Sequence, residues 1–414
     1  MKTTEKPIET NRPLLCEDDR CLLPDEKLRT ILLRTGMPVF LFDEKGLRAC
    51  AKSLLRATTF DRLYVSASAC PYPEILRILC EEGLGIVCRC PEELQTAITC
   101  GFPGARISYA GVCVRPELVE ILRGLGAEML LSSSVLFPDK LTDRVSILCK
   151  LPGRTAFPVP STSRRPSAGL TPEEAMTVAS MAKRCGASDL CLAAEPDTNC
   201  TTPGTAAQKA ALLIRLAERI KNERGAEIGR IHLGVALGME YHRGKPPVNA
   251  ASELAAAEQI LQEAPGNYRA ECGVSRNLIE PNAIFAAACL GTYERMVPTI
   301  LIDARFHQLA IPQLDRYRHI SILGKYEVAG RRATDVFGID PLAKDWFASA
   351  RILPAAEEGD CLLLHDVGCC TTVDAECFLI RADGSPQRLS RGLDCFSATP
   401  DERSDPFPMF RETD

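Results

Sequence analysis

LYVSASACPYPEIL, Leu63 to Leu76, is the stretch whose reading decides the fold. A β-rich segment, Leu63 to Ala67, runs into a Pro-Tyr-Pro turn at Pro71 to Pro73, and an apolar-periodic helix opens at Glu74. Junctions of this kind are where α/β proteins mount their chemistry. This one offers Ser66, Ser68 and Cys70, with no lysine, histidine or carboxylate at the strand end.

Outward from this junction the same alternation repeats. Strand-like segments fall near Leu63 to Ala67, Leu84 to Cys88, Arg106 to Tyr109, Glu128 to Leu131, Val145 to Leu151, Asp189 to Ala193, Arg230 to Gly234 and Tyr268 to Glu271. Amphipathic stretches of helical length separate most of them: Pro73 to Glu82, Pro91 to Cys100, Pro116 to Leu125, Thr171 to Cys185, Ala206 to Arg224 and Ala250 to Glu263. A weaker helix is expected over Val135 to Leu141, and another, Pro281 to Leu290, after the last strand. Thr171-Pro172-Glu173-Glu174 carries a full start signal, an N-cap threonine followed by proline at the first helical position and early acids. Eight such alternations predict an α/β chain, a (β/α)8 TIM-like barrel, over residues 40–296.

Residues 1–36 read as polar and loop-like before MPVFLFDE, Met37 to Glu44, a strand that leads into a helix through Leu55. From Val297 the apolar pieces are of strand length: TILIDA, RHISILGKYEVAG and GDCLLLHDVG. A β-rich domain formed by 1–39 plus 297–414 is the expectation. The Pro/Ser/Arg loop Phe157 to Ala168 and the acidic tail after Thr399 read as surface segments.

Composition narrows the functional classes. A net charge of -5 across 414 residues gives no basic stripe for a phosphate backbone, so nucleic acid is not an expected partner. No apolar run is long enough to span a bilayer, and the N-terminus lacks the apolar core of a signal peptide, so the expected location is cytoplasmic with no membrane contact. The 20 cysteines lie scattered inside apolar segments, as reduced, buried small hydrophobes do. Cys88 and Cys90, or Cys369-Cys370 with His365 and Asp366, lack the spacing of a structural zinc site, and no metal is expected.

Several stretches together resemble the pyridoxal-phosphate decarboxylases of the alanine racemase-like fold, closest to diaminopimelate decarboxylase. MPVFLFDEKGLRA is similar to the family's opening strand and helix. ILRILCEEGLGIVCRCPEELQTAITCGFPGARISYAGVCVRPELVEI is similar to the second and third βα units, and GLTPEEA, IHLGVALGMEY, ILIDARFH and GDCLLLHDVGCC follow in collinear order. The resemblance implies a barrel followed by a β-domain, assembled as head-to-tail dimers.

Carried over residue by residue, the chemistry departs from that pattern. Anchored on Pro71 and Pro73, the position of the family's Schiff-base lysine is held by Ser68, which cannot form an aldimine. The histidine that stacks on the cofactor ring corresponds to Glu195 in LAAEPDT. The Gly-rich phosphate cradle reads Gly234-Val235-Ala236-Leu237-Gly238, with only its first and last glycines kept. The second phosphate element, Glu-Pro-Gly-Arg in the family, reads Glu271-Cys272-Gly273-Val274, and Arg276 takes the arginine role if two residues are inserted. Lys-Phe-Gly becomes Ser167-Ala168-Gly169, and the Arg-Pro clamp becomes Ile311-Pro312. The Cys-Glu pair that reaches across the dimer becomes Ala333-Thr334, with Asp335 one position late, and the tyrosine over the phosphate becomes Cys370.

The expectation is a catalytically degenerate homologue, a binding or regulatory protein with no cofactor, acting as a homodimer or as a heterodimer with an active relative. A small amine or amino acid is its expected ligand, with Glu195 as the residue to meet it. The alternatives are an active diaminopimelate- or ornithine-type decarboxylase that uses pyridoxal phosphate on another lysine, and cofactor-independent chemistry in the same barrel mouth. Bland readings compete at each site. Glu195 also reads as a solvated loop carboxylate, Ser68 as a filler, and His232 as a packed core histidine.

Overall fold

The computed structural model describes residues 16–17, 20–21, 23–111, 114–151, 169–196, 202–234, 249–309, 319–326, 328–340, 345–369 and 376–390. The chain divides into two compact units, Leu54–Asn277 with Ser390–Asp414, and Met1–Ser53 with Leu278–Leu389.

The first unit is a closed barrel of eight parallel strands. In chain order they are Arg62–Ser66, Gly85–Cys88, Ile107–Tyr109, Glu128–Leu131, Arg144–Cys149, Asp189–Ala194, Arg230–His232 and Arg269–Gly273. The last closes on the first with Cys272 opposite Leu63 and Gly273 opposite Tyr64. All eight segments expected from the sequence are barrel strands.

Local chemistry starts the surrounding helices. Pro73, Pro91, Pro116 and Pro172 each stand in the first turn of a helix, where the missing N–H costs nothing. Thr171 and Glu174 form a reciprocal capping box at 3.3 and 2.8 Å. Gly204 has no side chain to cap Thr205–Arg224, and the buried Glu253 of the next helix substitutes, accepting from Gly204 N at 2.6 Å and Ala206 N at 3.3 Å.

Three expected elements differ. No helix forms over Val135 to Leu141; instead the Ser133 hydroxyl accepts from Val135 N and Leu136 N, a local turn that competes with helix formation. Pro281 to Leu290 is not a helix either. Ala283–Tyr293 is a strand, and a short helix, Ser275–Ile279, precedes it. Its Ala-Ile-Phe-Ala-Ala-Ala run suits either structure, and pairing on two sides decides for the strand: Ile284 lies opposite both His365 and Leu41. Finally, the segment read as loop before residue 36 contains the helix Asp25–Thr35, opened by two acids and closed at Gly36, with Leu28, Ile31 and Leu32 on its buried face.

The second unit is a mixed sheet. Its path runs Trp346–Leu353, Arg332–Phe337, Thr299–Ile302, Ala283–Tyr293, Val39–Asp43, Glu376–Ile380 and Pro386–Arg388, with Cys361–His365 joined to Ala283–Tyr293 and to Ile320–Ile322. Val39–Asp43, which opens the 40–296 segment of the sequence reading, pairs within this sheet, antiparallel to Ala283–Tyr293 and parallel to Glu376–Ile380. Leu28, Ile31, Leu32, Val39, Leu41, Ile284, Leu363 and Ile380 share its core. Among the described residues no helix is long and apolar enough to cross a membrane.

Candidate functional site

In a parallel barrel the chemistry belongs at the carboxyl ends of the strands, and four residues singled out from the sequence lie there. Ser68 sits in the single turn Ala67–Ala69 that leaves the first strand, Glu195 follows directly on the sixth, Gly234 comes two residues after the seventh, and Gly273 ends the eighth. Arg276, 6% exposed, lies in the short helix just beyond. Ala333 and Thr334 belong to the other unit, on the strand Arg332–Phe337 opposite Ile352 and Arg351, with Thr334 buried. Gly238 and Cys370 lie outside the described residues, as do Ser167, Ala168, Ile311 and Pro312.

At the first strand end the groups are hydroxyls. Ser68 Oγ and Ser66 Oγ are 2.9 Å apart, and Ser66 N donates to Ser275 Oγ at 2.9 Å. Ser275, which sequence reasoning missed, thereby ties the eighth strand's exit to the first. A serine hydroxyl has no nitrogen with which to form an imine, so Ser68 does not fit the covalent attachment of pyridoxal phosphate that the resemblance implies at this position.

Gly234 has a packing reason to persist. Its φ of +60° is left-handed, and a Cβ there would stand 2.0 Å from Ala194 O. Its N–H donates to His232 Nδ1 at 3.1 Å, which leaves that ring's proton on Nε2 in the neutral form. Burial holds His232 down to about 4, with nearby Arg230 and Lys209 reinforcing the effect against Glu128. The half-buried ring stands 5.7 Å from that of Tyr64.

Lys209, absent from the sequence reading, donates to Glu195 O at 2.9 Å and to Gly234 O at 3.4 Å. It braces the exits of the sixth and seventh strands. Its only sequence signal is a lysine beside the apolar stripe Ala206, Ala210, Leu213 of a helix. Glu195 N donates to Cys149 O at 3.1 Å, fixing the backbone of that residue from the fifth strand.

The amino-terminal end of the barrel holds an ion cluster that the sequence reading also missed. Arg230, fully buried, meets Glu128 and Glu271 through Nη1 and Asp189 through Nε at 3.0 Å. Arg144 and Arg62 complete it, at 3.4 Å from Asp189 and 3.5 Å from Glu271. Burial pushes Glu128 up, but Arg230 and Arg144 outweigh it and hold the carboxyl below its usual range. For Glu271, burial and the neighbouring Glu128 prevail and push it up to about 7. Among the described residues no group of His, Cys, Asp and Glu is arranged to hold a metal ion, and Cys80, Cys88, Cys100, Cys149, Cys185, Cys191, Cys289 and Cys361 are thiols.

A closed parallel barrel joined to a mixed sheet, with the marked positions at the strand exits, is the architecture of the alanine racemase-like decarboxylases. The chain is similar in sequence to a diaminopimelate decarboxylase and similar in fold to diaminopimelate and lysine/ornithine decarboxylases. It is 25% identical over 356 residues to diaminopimelate decarboxylase of Methanothermobacter thermautotrophicus, covering 80% of this chain and 82% of that one. It is 24% identical over 347 residues to Protein TabA of Pseudomonas amygdali pv. tabaci, covering 80% of each. Among solved structures, diaminopimelate decarboxylase of M. jannaschii in complex with L-lysine superposes with a TM-score of 0.75 at 17% identity, covering 88% of this chain and 91% of that one. The lysine/ornithine decarboxylase of Vibrio vulnificus with putrescine gives 0.68 at 17%, covering 85% and 94%. No protein-family model matches the chain.

Proposed function

We propose that this chain is a catalytically degenerate homologue of the amino-acid decarboxylases, one that kept the barrel mouth as a binding site and lost decarboxylation through a lysine-bound cofactor. The observation that supports this reading is the hydroxyl pair Ser66–Ser68 at the exit of the first strand, where the resemblance implies the Schiff-base lysine. Without an amine there, transimination has no starting point, and the electron sink that decarboxylation needs has no covalent anchor.

The ligand expected at the mouth is a small amine or amino acid, met by the carboxylate of Glu195 and the hydroxyls of Ser66, Ser68 and Ser275. L-lysine, putrescine and cadaverine accompany the solved relatives and are the natural probes. Calorimetric titration should give binding to at least one of them that Glu195→Gln weakens, with no carbon dioxide released from diaminopimelate, lysine or ornithine in the presence of pyridoxal phosphate. Turnover of any of these three contradicts the proposal.

The partner in this reading is a second copy or an active relative. In a head-to-tail heterodimer one site would carry Ser68 in place of lysine and the other would receive Ala333 in place of the trans-acting cysteine. Both sites are then impaired, so mixing with an active relative should lower its turnover. A second reading, an active enzyme whose amine comes from elsewhere, is favoured by one observation: the Lys209 amine reaches the exits of the sixth and seventh strands.

A further inference from the structure

At the carboxyl ends of the barrel strands one amine stands beside Glu195. Lys209 Nζ donates to the backbone oxygen of Glu195 at 2.9 Å and to that of Gly234 at 3.4 Å, so the exits of the sixth and seventh strands share a cation. The two exits are pressed together there: a Cβ on Gly234 would stand 3.0 Å from the same Glu195 oxygen. The lysine comes from the helix Thr205–Arg224, and its charge does not serve that helix. Three and four residues away stand Thr205, Ala206, Leu212 and Leu213, none of them a carboxylate.

Carbonyl oxygens orient an ammonium without cancelling its charge. That charge is felt at the end of the seventh strand, since Lys209 is among the groups that hold the His232 imidazole down. Ser66, Ser68 and Ser275, at the first strand's exit, bring hydroxyls and no charge. Of the other cations at the exits, Arg276 is 6% exposed beyond the eighth strand, and Lys150 stands in solvent beyond the fifth, where its charge is screened. Lys209 and Glu195 are both half-buried, and they put opposite signs at one exit.

A fixed pair of opposite charges is answered best by a ligand that carries the same pair reversed, a zwitterion with its ammonium toward Glu195 and its carboxylate toward Lys209. We propose that Lys209 is the specificity-determining residue of the mouth, selecting amino acids over the amines left when their carboxylate is removed. The assignment rests on the proposed binding role of the mouth and narrows its ligand class. A diamine brings a positive charge to Lys209 in place of a carboxylate, and the repulsion rejects it.

L-lysine and cadaverine differ only by that carboxylate. Both are titrated calorimetrically into the full chain and into its Lys209→Met and Lys209→Gln variants. The wild type should bind L-lysine at least about tenfold more tightly than cadaverine, the effect of one charge-assisted hydrogen bond. Lys209→Met should abolish the preference by weakening L-lysine and strengthening cadaverine, whereas loss of a merely structural brace would weaken both alike and leave the preference intact. Lys209→Gln keeps donors for the two carbonyls and loses the charge, so it should abolish the preference in the same way, and it decides the matter if the methionine variant does not fold. A wild type that binds L-lysine no better than cadaverine or putrescine overturns the assignment while the binding role of the mouth stands. A preference that survives in Lys209→Gln overturns it too and moves the carboxylate to Arg276 or Lys150. A wild type that binds none of the three removes the binding role and the assignment together.

Discussion

At position 230 a guanidinium with no solvent exposure stands among three carboxylates, and its value to the fold is mostly the cost of leaving them alone. Breaking a buried pair from one side strands the opposite charge and costs about 3–5 kcal/mol. Arg230→Ala should therefore lower the free energy of unfolding in urea by about that amount. A loss under about 1 kcal/mol would mean that water already screens the cluster. Gly234 makes the complementary point. The resemblance implies a glycine of the phosphate cradle, and the structure gives it a packing duty, a left-handed residue against the Ala194 carbonyl. That Ser68 lies just past the first strand was legible directly, because the apolar run ends there and the Pro-Tyr-Pro turn follows. Lys209 was not, since only the folded helix carries its amine to the strand exits.

At the scale of elements, capping and packing can be tested separately. Thr171 closes the capping box of Pro172–Arg184, and Thr171→Ala should cost about 1 kcal/mol, measured by chemical denaturation. Leu28, with no exposure in the core of the mixed sheet, should cost about 3 kcal/mol when cut to alanine. A cost below 1 kcal/mol there would indicate that the helix Asp25–Thr35 does not pack on the sheet as described. That helix carries its own signals, two early acids and apolar residues at 28, 31 and 32, so it could have been read from the sequence. Ala283–Tyr293 could not: an alanine-rich apolar run has no period that separates a helix from a strand paired on both sides.

At the scale of the whole molecule, the strand–helix alternation alone placed every barrel strand, because a parallel strand buried on both faces writes a continuous apolar run. The ion cluster left a trace in the same pattern that is easy to overlook. Arg62, Glu128, Arg144, Asp189, Arg230 and Arg269 are each the first residue of a barrel strand, a ring of charge at one end of the barrel. Which of them meet, and that Glu271 joins from mid-strand, depends on barrel closure, which no local window contains. The functional reading rests on the opposite end of the barrel, where an amine is expected and a hydroxyl pair stands. The most direct measurement is to incubate the purified chain with pyridoxal phosphate, reduce it with borohydride and map the peptides by mass spectrometry. No stoichiometric pyridoxyl-lysine and no visible aldimine band are expected; one lysine labelled to completion, Lys209 above all, would contradict the loss of the cofactor's covalent anchor.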